Sequence, residues 1–211
     1  MSGALDPRSD TRLVLASHNA KKLEELRQIL RPVVPGLDPG SVRSARDLGA
    51  PEPVEDGVTF AENALIKARA LASTTGLPAV ADDSGLAVDV LGGAPGIFSA
   101  RWCGRHGDDA ANLRLLLDQL ADVPDAHRRA RFVCAAALVT PAGVEVVETG
   151  EMPGTLTREP RGTGGFGYDP ILIPDGHDVT SAELAPAQKN AISHRGGALR
   201  ALAPHIADAL R

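Results

Sequence analysis

The stretch PAVADDSGLAV, residues 78–88, places a short apolar run directly against two carboxylates, a hydroxyl and a glycine. PAVA reads as a brief buried strand. It is expected to end at Asp82, with LAVDVL, residues 86–91, beginning another strand. Buried acids are costly unless they are paired or hold a metal, so Asp82 and Asp83 call for partners. The plain alternative is an Asx turn closed by Ser84 and Gly85, which would leave a half-buried charge unpaired beside an apolar strand.

The flanking segments supply alternating elements. LVLA, residues 13–16, reads as a buried strand, and Leu23, Leu26 and Leu30 then recur at helical spacing, with Ser17 or Asn19 as caps. Residues 31–58 are rich in Pro and Gly and read as a loop with a short strand. Over 59–76, Thr59 and Glu62 form a capping box, Ala61, Ala64, Leu65, Ala68 and Leu71 make an apolar stripe, and Gly76 suits the helix end. DDAANLRLLLDQL, residues 108–120, is a helix with an Asp cap. Residues 130–140 and 143–152 read as strands of a hairpin around Pro141-Ala142-Gly143. The chain ends helically, with Ser193 as cap. Strands alternating with helices but including a hairpin predict an α/β fold with a mixed sheet.

At 211 residues the chain is long enough for a single α/β domain, expected over 12–211, behind a disordered lead-in at 1–11 that does not resemble a signal peptide. A net charge of −5 gives no reason to expect binding to nucleic acid or anionic lipid. No apolar run approaches the roughly 18 residues of a membrane span. Cys103 and Cys134 form neither a CxxC nor a disulfide framework, which fits a reducing cytoplasm. Of the 22 basic residues only Lys21, Lys22, Lys67 and Lys189 are lysine, so each lysine marks a candidate site for a compact ammonium.

Ligands gather at the carboxyl ends of strands in open α/β sheets. SHNAKK, residues 17–22, joins a strand to a helix N-terminus, where backbone N–H groups favour an anion. Lys21 and Lys22 stand there against the helix dipole, which makes sense beside a polyphosphate; a solvated basic face is the alternative. ADDSG offers carboxylates of the kind Mg²⁺ takes alongside substrate phosphates, and one acid can deprotonate an attacking water. Glu55, in PVEDG, is a second candidate ligand, and Lys67 projects off the apolar stripe of its helix. In GTGGFGYDP, residues 162–170, the GxGxxG spacing lacks its strand and meets Pro170, which excludes a dinucleotide fold. Phe166 and Tyr168 beside flexible glycines suit base stacking, or else plug a core under the loop, and Asp169 can accept from base N–H groups. AQKNAISHRGG brings further cations in Lys189, His194 and Arg195.

Taken together, LVLASHNAKKLEEL, PVEDGVTFAENALIKARA, ADDSGLAVDVLGGAPGIFSARW, GTGGFGYDPIL and SHRGGAL resemble the inosine/xanthosine triphosphate pyrophosphatases, from about residue 12 to 205. The resemblance implies an elongated mixed sheet flanked by helices, with two lobes around a central substrate cleft, in a cytoplasmic homodimer. It implies Mg²⁺-dependent hydrolysis of ITP, dITP and XTP to monophosphate and pyrophosphate, keeping them out of DNA and RNA. By motif, Ser17, His18, Asn19, Ala20, Lys21 and Lys22 would cradle the triphosphate. Asp83 would be the acid-base residue and, with Glu55, a metal ligand. Ser84 and Lys67 would contact substrate, Phe166, Gly167, Tyr168 and Asp169 would hold the purine, and Lys189, His194 and Arg195 would complete recognition. His18 departs from the family's usual glycine or asparagine. Preference for a 6-keto purine would follow from backbone N–H donors near Phe166, which an amino group leaves unpaired. A related pyrophosphatase for modified pyrimidine or other aberrant triphosphates and a nucleotide-sensing module that does not cleave are the competing readings.

Overall fold

Leu13, Val14 and Leu15 have almost no accessible surface, and this short strand organises the first half of the sheet. The computed structural model describes residues 10–211, so positions 1–9 of the expected lead-in lie outside the described residues. The strands are β1 (Leu13–Leu15), β2 (Val42–Ser44), β3 (Ala79–Val88), β4 (Arg129–Val139), β5 (Glu145–Leu156) and β6 (Leu172–Pro174). The α-helices are α1 (Ala20–Leu30), α2 (Phe60–Thr75), α3 (Asp109–Gln119), α4 (Pro186–Ile192) and α5 (His194–Ala209). The strands form one mixed sheet in the order β2-β1-β3-β4-β5-β6. β1 runs parallel to β2 and β3, whereas β5 and β6 are antiparallel.

The expected break at Asp82 does not occur. β3 runs unbroken from Ala79 to Val88 and carries both acids at its centre, so the predicted break is absent, while Asp89–Leu91, expected to extend the second strand, form a 3-10 turn. The strand survives because each polar side chain finds a partner across its own face. Asp82 accepts from Lys22, Asp83 from Asn63 and Lys67, and Ser84 from Arg195.

The chain divides into two units. One holds residues up to Asp83 with Ala135–Glu148 and Ala198–Arg211; the other holds Ser84–Cys134 and Thr149–Gly197. In the first, α2 lays Ala64, Ala68, Leu71 and Ala72 onto Val14, Ala79, Ala81, Ala135 and Ala137. Alanines on both sides let helix and sheet approach closely. The helix is fixed at its start by the predicted Thr59–Glu62 capping box and at its end by Gly76, in the left-handed region at φ 69°. On α1, Leu23, Leu26 and Leu30 are buried as their spacing requires, each contributing about 2 kcal/mol through apolar burial.

In the second unit Leu86 and Val88 of β3 pack with Leu113, Leu116 and Leu120 around α3, together with Phe132, Met152, Ile171 and Leu172. Asp108 caps α3 through Ala111 N–H, as expected. Arg128 closes its other end. This guanidinium, 1% exposed, donates to the carbonyls of Leu120, Leu156 and Thr157, tying the end of α3 to the end of β5. Ser193 receives Gly196 N–H and so caps α5, as predicted.

Candidate active site

Side chains alternate across a strand with a two-residue period. Ala79 and Ala81 meet α2, so Asp83 belongs to the α2 face of β3, while Asp82 points to the other. The acids that read as one pair are therefore separated by the pleat, and each has its own lysine.

On the α2 face, Lys67 Nζ lies 3.3 Å from Asp83 Oδ1 and 3.2 Å from Glu55 Oε1. Asn63, one turn earlier on α2, donates to Asp83 Oδ2 at 3.2 Å. Asn63 and Lys67 share a helical face because they are four residues apart. The structure thus brings together Glu55, Lys67 and Asp83, from a loop, a helix and a strand, and adds Asn63, which the sequence reading missed. The available signal was a polar residue inside the apolar stripe, four positions before the lysine. Asn63 is 1% exposed, and such burial is tolerable only when the amide is bonded.

Two carboxylates share one ammonium here. Burial raises the Asp83 carboxyl above its ordinary pKa, and Glu55 raises it further, against the lowering effect of Lys67 and Asn63. Burial would lower Lys67, but Asp83, Glu55 and Asp82 outweigh it and hold the lysine above its usual value. Negative charge is in excess, and every acidic donor is an oxygen. That chemistry fits a hard divalent cation, which takes one or two carboxylates and completes its shell with substrate phosphates and water. Among the described residues no group of three or more His, Cys, Asp or Glu is arranged around a single point.

On the opposite face Lys22 Nζ holds both Asp82 oxygens, at 3.0 and 2.8 Å, and Asp82 is 3% exposed. Ser17 Oγ accepts Asn19 N–H and shapes the turn into α1. His18 is exposed, with its Nδ1 3.5 Å from Glu52 Oε1. Ala20 begins α1, and the Lys21 side chain lies outside the described residues.

The second unit carries the remaining candidates. Arg195 Nη2 donates to Ser84 Oγ at 3.2 Å. His194, the first residue of α5, stacks on Phe132 with ring centroids 5.1 Å apart. Lys189 pairs with Asp169 and stands 5.3 Å above the Phe166 ring. The two aromatics of the glycine-rich loop divide in role. Phe166 is 60% exposed, whereas Tyr168 is buried in the apolar core and donates its hydroxyl to Ser99 O at 2.9 Å. Burial and the nearby Asp109 charge hold the Tyr168 hydroxyl well above its usual pKa.

Asp169 is buried and accepts Phe166 N–H at 2.8 Å as well as Lys189, so it fastens the loop from within. Gly167 N–H donates to Asp109 at 2.9 Å. Two backbone N–H groups in the region expected to face the base, those of Phe166 and Gly167, are therefore already engaged by carboxylates. Gly165, at φ 74°, passes so close to Asp169 that a Cβ there would overlap the carboxylate, and a Cβ on Gly164 would fall 2.7 Å from Ala182 O.

The Ham1 family model matches residues 13–205. A dITP/XTP pyrophosphatase of Streptomyces coelicolor is 62% identical over 200 residues, covering 95% of this chain and 99% of that protein. One from Mycobacterium tuberculosis is 58% identical over 197 residues, covering 93% and 95%. Among solved structures, a HAM1 protein from Coxiella burnetii aligns with TM-score 0.85 at 42% identity, over 94% of this chain and 100% of that one. A nucleoside-triphosphatase / dITP/XTP pyrophosphatase from Mycobacterium abscessus aligns with TM-score 0.76 at 54% identity, over 92% and 100%.

Proposed function

The chain belongs to the Ham1 family, and on that premise we propose that it is a nucleoside triphosphate pyrophosphatase hydrolysing dITP, XTP and ITP to monophosphate and pyrophosphate. The observation that carries the reading is the acid-rich group in which Glu55 and Lys67 gather around Asp83 of β3.

Hydrolysis at the α-phosphate consumes one water and releases pyrophosphate. Asp83 takes the proton of that water; a carboxyl raised toward the working pH is a better base than one held low. Lys67 stays protonated and keeps Asp83 and Glu55 together without neutralising both. Mg²⁺, held by Asp83 and Glu55, would supply positive charge to the phosphate oxygens. Lys22 binds the triphosphate by exchanging Asp82 for phosphate oxygens, with the first backbone N–H groups of α1 as further donors. Ser84 and Arg195 add polar contacts, with His194 beside them at the start of α5.

Phe166 offers an exposed ring for the purine, with Lys189 over it, while Tyr168 and Asp169 hold the loop in shape. A 6-keto oxygen can replace Asp109 as acceptor for Gly167 N–H. A 6-amino group is itself a donor and cannot, which disfavours adenine. Removal of such triphosphates would keep them out of DNA and RNA. The family likeness supports reading it as a cytoplasmic homodimer. Separately, no helix among the described residues is long and apolar enough to cross a membrane.

The deciding experiment measures pyrophosphate release from dITP, XTP, dATP and dTTP, with and without Mg²⁺. Metal-dependent cleavage of dITP and XTP over dATP is expected. A preference for dTTP would overturn the substrate assignment, and parental turnover by Asp83→Asn would overturn the chemistry.

A further inference from the structure

We infer that Asn63 is a positioning residue that fixes the loop carrying Glu55 to Asp83 and so sets the spacing of the two acids; the inference rests on the roles proposed above for those acids. Asn63 lies almost wholly out of solvent, and both ends of its amide are used. Oδ1 accepts Gly57 N–H at 2.9 Å, and Nδ2 donates to Asp83 Oδ2 at 3.2 Å. Gly57 stands two residues beyond Glu55. The amide therefore joins the Glu55 loop to the centre of β3 through two directed bonds.

The chemistry requires an amide. Gly57 offers a donor and Asp83 an acceptor, so the residue between them must accept on one side and donate on the other. Aspartate has no donor when ionised and would add a third acid to a group with surplus negative charge. Leucine fills the volume and leaves the Gly57 N–H without its acceptor. Asn63 and Lys67 also take different oxygens of Asp83, Oδ2 and Oδ1, which fixes the plane of the carboxylate.

Gly57 is the other half of the device. A Cβ at this position would lie 2.7 Å from Asn63 Oδ1 and 2.8 Å from Glu62 Cβ. Only glycine brings its N–H close enough to bond, so Gly57→Ala displaces the loop while Asn63 stays in place.

The test uses XTP as substrate and a double-mutant cycle. Asn63→Ala should lower kcat by about 10²-fold with KM changed less than about threefold, as expected when reacting groups are misplaced and binding groups are intact. Gly57→Ala should lower kcat about tenfold alone and less than about twofold in the Asn63→Ala background, because neighbours acting through one link are not additive. Mn²⁺ binding to the substrate-free protein, read by electron paramagnetic resonance, should weaken at least tenfold in both single variants.

Parental kcat in Asn63→Ala, or full additivity in the cycle, overturns the inference. If Asn63→Ala fails to fold by circular dichroism, Gly57→Ala decides alone, and parental kcat and Mn²⁺ affinity there overturn the inference. Asp83→Asn is the control: activity in that protein breaks the proposed function itself, whereas an inactive Asp83→Asn beside a fully active Asn63→Ala breaks only the positioning role.

Discussion

Asp83, Asn63 and Lys67 project from β3 and α2, each at most partly exposed and each bonded to a neighbour. Phe166 stands on a glycine-rich loop with its ring largely in solvent. The contrast follows from what each region must do. Charges held for chemistry have to keep their spacing, and regular elements hold side chains more precisely than loops. A platform for a flat ring needs only to present a face, and a loop anchored at a few points suffices. Even so, the loop is fastened at Phe166 by Asp169, at Gly167 by Asp109 and at Tyr168 by Ser99.

Four measurements test that contrast. The largest effect belongs to the strand: Asp83→Asn should retain its circular dichroism spectrum and lose roughly 10³-fold in XTP turnover, the scale of a general base. A loss below tenfold would place the chemistry elsewhere. Arg128→Met comes next, with a cost to stability rather than to chemistry. It leaves three carbonyls without their donor, and urea unfolding should show a loss of about 3 kcal/mol with kcat unchanged.

Phe166→Ala should weaken nucleotide binding by roughly 1–3 kcal/mol, the usual worth of one stacked base. Inorganic triphosphate should inhibit the variant as well as it does the parent. Equal losses for both ligands would mean that Phe166 shapes the phosphate site instead.

The smallest effect concerns pH. Tyr168 is the sole tyrosine of the chain, so absorbance at alkaline pH reports on it alone. Its folded pKa lies above the ordinary 10.0, mainly through burial. The stability this confers is complete below the unfolded value and is lost as the pH rises through the folded one. The native protein should show no tyrosinate at pH 10.5, and unfolding in urea should release it. Ionisation near pH 10 in the folded protein would mean that the ring is not core.

Local signals foretold much of this architecture. The capping box at Thr59 and Glu62, the Asp108 and Ser193 caps and the hairpin turn after Thr140 are short-range chemistry, legible within a few residues. The continuity of β3 is not legible locally because the groups that stabilise its polar centre come from far along the chain. Lys22 is 60 positions from Asp82, and Arg195 is 111 from Ser84. No window around ADDSG contains them. The fates of Phe166 and Tyr168 were open for the same reason: the burial that separates them depends on Ile171, Leu172 and α3, not on the loop. Lys22, Lys67 and Lys189 each meet an acid in the fold. The acids themselves sorted by strand parity, which becomes visible only once β3 is known to be continuous.

The tight seat of Gly165 against Asp169, and of Gly164 against Ala182, limits how this protein can be re-engineered. A library aimed at a new base preference gains nothing by varying those glycines, because nearly every member would distort the loop before meeting a nucleotide. Diversity belongs at Thr163 and Phe166, whose exposed side chains can change without unseating the backbone beneath them.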